Sequence, residues 1–100
     1  MKRLEPAEIE AHRASTPDWS VAADRMSREF VFADFVEAFG FMTSVTLLAE
    51  IADHHPEWFN VYGMLRIDLT THEVSGISEH DFELASAINQ EFDRRTLPSS

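Results

Sequence analysis

The sequence contains no cysteine, which removes disulfide staples and thiolate metal sites from consideration. Glycine and proline are scarce, three and four in 100 residues, and no biased tract or internal repeat divides the chain. With 44% hydrophobic residues it has the composition of a folding chain, and at this length one domain spanning residues 1–100 around a single modest core is expected. Basic side chains are also few: eight Lys and Arg stand against eighteen Asp and Glu, a formal charge of −10. Between positions 29 and 91 Arg66 is the lone cation. Wrapping phosphate backbones or lying on anionic lipid needs clustered cations, so neither nucleic acid nor a membrane is expected as a direct partner. No apolar run of signal-peptide length opens the sequence. The most apolar segment, Phe35–Ala52, is interrupted by Glu37, Gly40, Thr43, Ser44, Thr46 and Glu50, so a cytoplasmic protein without a membrane span is expected.

What is present reads as alternating helices and hairpins. Residues 5–14, with Pro6 in the first turn and Ile9 as apolar anchor, predict a short exposed helix within an N-terminal segment of 18 residues. Trp19, Val21 and Ala23 alternate with polar or small residues as in a half-buried strand. Met26, Phe30 and Phe32 do the same over residues 26–32, and the short link at Asp24 and Arg25 implies an antiparallel hairpin. The period then lengthens: Phe35, Ala38, Phe39, Met42, Val45, Ala49 and Ala52 recur at three- and four-residue steps, predicting a long helix that ends before Pro56. Val36, Phe41, Leu47, Leu48 and Ile51 give that helix a second apolar face, more than one sheet covers, which a partner subunit would explain. Strands over residues 58–62 and 65–70 form a second hairpin around Gly63 and Met64. A last helix starts after Gly76, with Ser78 as N-cap and Asp81 in the capping-box position, and buries Leu84, Ala85, Ile88 and Phe92. Residues 96–100 are expected to fray. The expected fold is an α+β two-layer sandwich in α-β-β-α-β-β-α order, a four-stranded antiparallel sheet with helices on one face.

Chemistry concentrates in three of the five histidines. His54 and His55 precede the third strand and His72 follows the fourth, its hairpin partner, so all three reach one sheet edge, with Asp53, Thr70, Thr71, Glu73 and Asp81 in range. His12 and His80 lie in stretches that read as exposed. Three imidazoles could form an open zinc site, but neighbouring residues point in different directions, so His54 and His55 chelate one ion only on an irregular backbone. The alternative is acid–base chemistry, since an unperturbed imidazole exchanges protons near neutral pH. No nucleophile elbow, phosphate loop or dinucleotide fingerprint is present. Trp58, Phe59 and Tyr62 offer a stacking face for a flat ring or, as strand aromatics, part of the core.

The string DHHPEWFNVY at positions 53–62, the IDLTTH run ending at His72, then Gly76 and Asp81, resembles the signature of the pterin-4a-carbinolamine dehydratases. FVFADFVEAFGFMTSVTLLAE at positions 30–50 and Trp19 extend the resemblance over residues 19–92, and the first eighteen residues resemble nothing in particular. The resemblance implies dehydration of 4a-hydroxytetrahydrobiopterin, or a related 4a-hydroxytetrahydropterin, to the quinonoid dihydropterin, recycling the pterin oxidised by an aromatic amino acid hydroxylase. No metal or organic cofactor is implied. It implies His54, His55 and His72 as the catalytic histidines and Asp53, His54, His55, Thr70, Thr71, His72 and Glu73 as pterin contacts, with Asp81 and Trp58 in support. Among these, His54 and His72 suit the acid–base pair and His55 the pterin grip, with Asp53 or Glu73 orienting the rings or accepting pterin N–H groups. The family's protomers pair into homodimers, some joined through the long helix into homotetramers. Animal members also serve as dimerisation cofactors for a homeodomain transcription factor, so a non-catalytic protein-binding module is the competing expectation.

Overall fold

In the computed structural model, which describes residues 1–22 and 24–96, the expected order is present with one insertion. The elements are α1 (Pro6–Arg13), β1 (Ser20–Ala22), β2 (Arg25–Val31), α2 (Phe35–Ala52), β3 (Glu57–Val61), β4 (Met64–Leu69), a 3-10 turn (His72–Val74) and α3 (Glu79–Thr96). The strands form one antiparallel sheet in the order β1-β2-β4-β3. Strand alternation gives that sheet one apolar face: Met26 and Phe30 from β2 and Leu65, Ile67 and Leu69 from β4 are buried. Ala38, Phe41 and Val45 of α2 and Leu84, Ala85 and Ile88 of α3 complete the same core. Phe41 and Phe92 meet Phe30 and Phe32 with ring centroids 5.0–5.8 Å apart, an aromatic knot between sheet and both helices.

Three expectations are corrected. The buried line of α2 is Ala38, Phe41, Val45 and Ala49, while Phe35 and Phe39, expected inward, are exposed and lean on each other at 6.0 Å. Ala52, also expected inward, is exposed. A helix apolar all round gives periodicity nothing to choose between; alanines at 38 and 49 let the backbone approach the sheet, and Phe41 fills the space among Phe30, Phe32 and Phe92. Secondly, Trp19 lies before β1 and not within it. Its N–H closes a turn onto Thr16 O at 3.1 Å, and its indole N–H donates to Asn89 Oδ1 at 2.8 Å, so the buried ring is tied to α3. Ala23, assigned to the same strand face, lies outside the described residues. Thirdly, α1 is exposed as expected and Ile9, half-buried, packs on the core, but the fully buried anchor is Leu4, ahead of the helix, its N–H donating to Ile77 O at 2.8 Å.

Chain reversals have visible causes. Asp34 caps α2 by accepting the Glu37 N–H at 2.8 Å. In the β3–β4 turn Tyr62, not Gly63, takes the left-handed conformation. Gly63 is needed for close approach, because a Cβ there would stand 2.5 Å from Phe32 O while Phe32 N–H bonds Gly63 O at 2.7 Å. By length and composition α2 is apolar enough to cross a bilayer despite its polar interruptions; here Ala38, Phe41, Val45 and Ala49 are its buried line and its opposite side is exposed. Thr96 closes α3, and the rest of the tail expected to fray, residues 97–100, lies outside the described residues.

Candidate active site

The site begins where α2 stops. Asp53 takes a left-handed conformation (φ 52°), and the His54 N–H returns to Ala49 O at 3.0 Å. A short polar residue tolerates that conformation, which turns the chain off the helix axis before Pro56. His54 is thereby swung towards the first turn of α3. Its side chain is only 12% exposed, and Nε2 lies 2.5 Å from Oδ1 of Asp81, which is fully buried.

Asp81 is held as the capping box predicts, with additions. Oδ2 accepts the Ser78 N–H at 2.9 Å and the Thr71 hydroxyl at 2.8 Å, and Thr71 Oγ1 is 2.7 Å from Ser78 Oγ. Thr71 sits there because residues 71 and 76 form an isolated antiparallel bridge closing the loop that contains the 3-10 turn. His54 and Thr71 therefore share one buried carboxylate, which puts the two chain segments bearing the site histidines side by side.

The other two rings face water. His55, 64% exposed, has Nε2 2.9 Å from Glu50 Oε1, one helical turn back on α2. His72, 79% exposed, has Nε2 3.2 Å from Glu57 Oε2, at the start of β3. Glu57 Oε1 in turn accepts from Arg25 of β2 at 3.1 Å, and this bonded carboxylate pushes the Arg25 guanidinium above its ordinary range. Each imidazole thus has its own carboxylate, and the buried one on His54 is the pair that fixes a ring firmly. Beside His55 a cleft of about 170 Å³ is lined by Thr46, Ala49, Glu50, His55, Pro56 and Trp58, and Trp58 is partly exposed at its edge.

The ring-orienting role expected of Asp53 or Glu73 is corrected by this geometry. Both are exposed, and the carboxylates on the rings are Asp81, Glu50 and Glu57. Glu50 and Glu57 were missed by sequence reasoning. Glu50 is five residues before His55, beyond the helical spacing that flags a pair, and reaches it only because the chain turns at Asp53, whereas Glu57 depends on where the loop after β4 returns. Thr70 and Thr71 turn their hydroxyls inward, Thr70 onto Asp24 O at 2.6 Å. His80 is exposed as expected, yet its ring stands edge-on to His54 at 6.1 Å. His12 stacks on Phe82 at 4.9 Å, with Nε2 3.8 Å from Glu79 Oε1.

An antiparallel sheet backed by helices, carrying carboxylate-paired histidines at one end, defines a small α+β protein. The family model for pterin 4 alpha carbinolamine dehydratase matches residues 2–91, and the chain belongs to that family. The match takes in the N-terminal segment that sequence reasoning had left outside the resemblance. The chain is 48% identical over 96 residues to a Rhizobium rhizogenes protein named "Putative pterin-4-alpha-carbinolamine dehydratase", covering 94% of this chain and 95% of that one. A protein of the same name from Prochlorococcus marinus is 58% identical over 73 residues, 73% of this chain and 76% of that one. Among solved structures, the crystal structure of transcriptional coactivator/pterin dehydratase from Brucella melitensis superposes with a TM-score of 0.86 at 37% identity, over 90% of this chain and 98% of the other.

Proposed function

We propose that this protein dehydrates 4a-hydroxytetrahydrobiopterin, or a closely related 4a-hydroxytetrahydropterin, to the quinonoid dihydropterin and water in the cytoplasm, as a 4a-hydroxytetrahydrobiopterin dehydratase serving pterin recycling after an aromatic amino acid hydroxylase. The observation that carries this reading is the His54–Asp81 pair beside His55 and His72, in a chain of the carbinolamine dehydratase family. Breaking the C4a–O bond requires a proton on the departing oxygen, while a second proton leaves a ring nitrogen as the C=N bond forms. Two imidazoles of opposite protonation supply both transfers and exchange the difference with water, so one water is released per turnover.

The roles follow from the clasps. His54, with Nε2 on a buried carboxylate, is the base that takes the ring-nitrogen proton on Nδ1, and Asp81 steadies the imidazolium that results. His72, solvent-facing on Glu57, is the acid that protonates the leaving oxygen. His55 at the mouth of the Trp58 cleft grips the pterin, whose N–H groups Asp53 and Glu73 accept. Thr70 and Thr71 are buried with their hydroxyls turned inward, and the Thr71 backbone is spent on Gly76 and Val74, so this pair supports the ligand from behind the histidines. The chemistry asks for no metal or organic cofactor. The test is decay of the 4a-carbinolamine absorbance, which this protein accelerates.

The second reading, a protein-binding module, draws on the coactivator half of the Brucella protein's name and on the exposed apolar side of α2, where Val36, Leu47 and Ile51 face outward with Phe35 and Phe39. In our reading that face meets a second copy of the chain, giving a homodimer or homotetramer.

A further inference from the structure

We infer that Thr71 and Ser78 are positioning residues whose paired hydroxyls help fill Oδ2 of Asp81 and fix Oδ1 towards His54, so that His54 keeps its hydrogen on Nε2 and leaves Nδ1 to receive a proton. The inference rests on the acid–base reading of His54 and adds the groups that make its tautomer a fixed property of the fold.

Hydrogen directions follow from counting donors. Each hydroxyl has one hydrogen to give, and an ionised carboxylate only accepts. Thr71 Oγ1 faces both Asp81 Oδ2 at 2.8 Å and Ser78 Oγ at 2.7 Å, so its hydrogen goes to the carboxylate and Ser78 must be the donor between the two hydroxyls. Ser78 Oγ then accepts the His80 N–H at 3.3 Å, while the Ser78 N–H also reaches Oδ2 at 2.9 Å. Oδ2 is satisfied by two donors, and Oδ1 is turned to His54 Nε2. Thr71, Ser78 and Asp81 are all buried, so water does not replace a donor that is removed. Thr71 lies in the stretch expected to touch the ligand, but its hydroxyl points at the carboxylate behind the histidine; Ser78 reads from the sequence as a helix cap alone.

Valine at 71 keeps the shape and deletes one donor. Oδ2 then has a free lone pair, the carboxylate can rotate, and His54 is no longer held in one tautomer. Turnover is expected to fall by about ten- to a hundredfold, the cost of leaving one buried acceptor site without its donor. Binding carried by His55 stays, with KM within about twofold. Thr71→Ser, which restores the hydroxyl, is expected to restore turnover.

The experiment pairs the 15N imidazole spectrum of the whole protein with steady-state kinetics of Thr71→Val and Thr71→Ser. The expected wild-type spectrum shows neutral His54 with hydrogen on Nε2 and a bare Nδ1, and in Thr71→Val that signature gives way to mixed tautomers as kcat drops. Hydrogen on Nδ1 in the wild type overturns the inference, and this arm decides the matter even where Thr71→Val does not fold. An unchanged kcat in a folded Thr71→Val also overturns it, as does a rise in KM alone, which would make Thr71 a ligand contact. A wild type with the expected His54 spectrum and no dehydratase activity would leave the wiring standing and remove the function it is meant to serve.

Discussion

Burial separates the three site histidines at the residue scale. His54 is largely enclosed and bonded to a fully buried carboxylate, while His55 and His72 pair with carboxylates at the surface. A buried partner fixes a ring firmly; an exposed pair is worth little and leaves the ring free to turn to a ligand. Alanine at His54 or at His72 is therefore expected to lower kcat by about 10²–10⁴-fold, the usual worth of a general acid or base. Alanine at His55 should weaken pterin binding about tenfold, one hydrogen bond's worth, and spare kcat. Single-turnover kinetics with separate binding measurements tests the split; a His55→Ala variant losing only turnover, with His72→Ala losing only affinity, would reverse the assignment. The histidines themselves were legible in the sequence through their spacing around a hairpin. Their carboxylates were not all so, because Glu57 reaches His72 only through the return of the loop after β4, a long-range placement that local pattern does not encode.

Element by element, the sequence was most readable where one face differs from the other. Strands β2 and β4 alternate cleanly and were placed within a residue or two, and the capping box at Ser78 and Asp81 marked the start of α3. The inner side of α2 was misread because both its sides are apolar. Two consequences at this scale can be measured. Gly63→Ala pushes a Cβ against the Phe32 carbonyl, which is backbone and cannot swing away, so a loss of about 1–3 kcal/mol is expected, seen as a drop in Tm of about 4–8 °C per kcal/mol. An unchanged Tm would mean that the turn repacks freely. The end of α3 is pinned to α2 by Arg95, which donates to Gly40 O at 3.0 Å and Ser44 Oγ at 2.7 Å while Glu91 holds its guanidinium. Hydrogen bonding from Arg94, helped by Arg95 and opposed by burial, holds the Glu91 carboxyl below its usual range. A depressed carboxyl stabilises the fold fully above its unfolded value, about 4.5, and loses that contribution as pH falls through the folded value. Glu91→Gln should accordingly lower Tm at pH 7, with the gap to wild type closing as pH drops below about 4.5 in thermal melts. A gap that is constant with pH would contradict it.

For the whole molecule, the outward side of α2 is the feature a lone chain leaves unexplained. Phe35, Val36, Phe39, Leu47 and Ile51 are each more than half exposed, a grouping that isolated soluble chains seldom keep in water. Light scattering at micromolar concentration is expected to show at least a dimer, and Val36→Glu with Ile51→Glu to shift it towards smaller species. A stable 11.4 kDa monomer would contradict the self-association. Most of the few cations are spent in pairs such as Arg25 with Glu57 and Arg95 with Glu91, which leaves the acidic excess that discouraged nucleic-acid contact in the sequence.

Whether the histidine edge dehydrates a 4a-hydroxypterin is read directly from the decay of that species. An aromatic amino acid hydroxylase turning over with tetrahydrobiopterin generates the 4a-carbinolamine, whose absorbance decays spontaneously. Folded wild-type protein should speed that decay in proportion to its concentration, and His54→Ala should return it close to the spontaneous rate. Decay at the spontaneous rate with folded wild-type protein present would contradict the assignment outright.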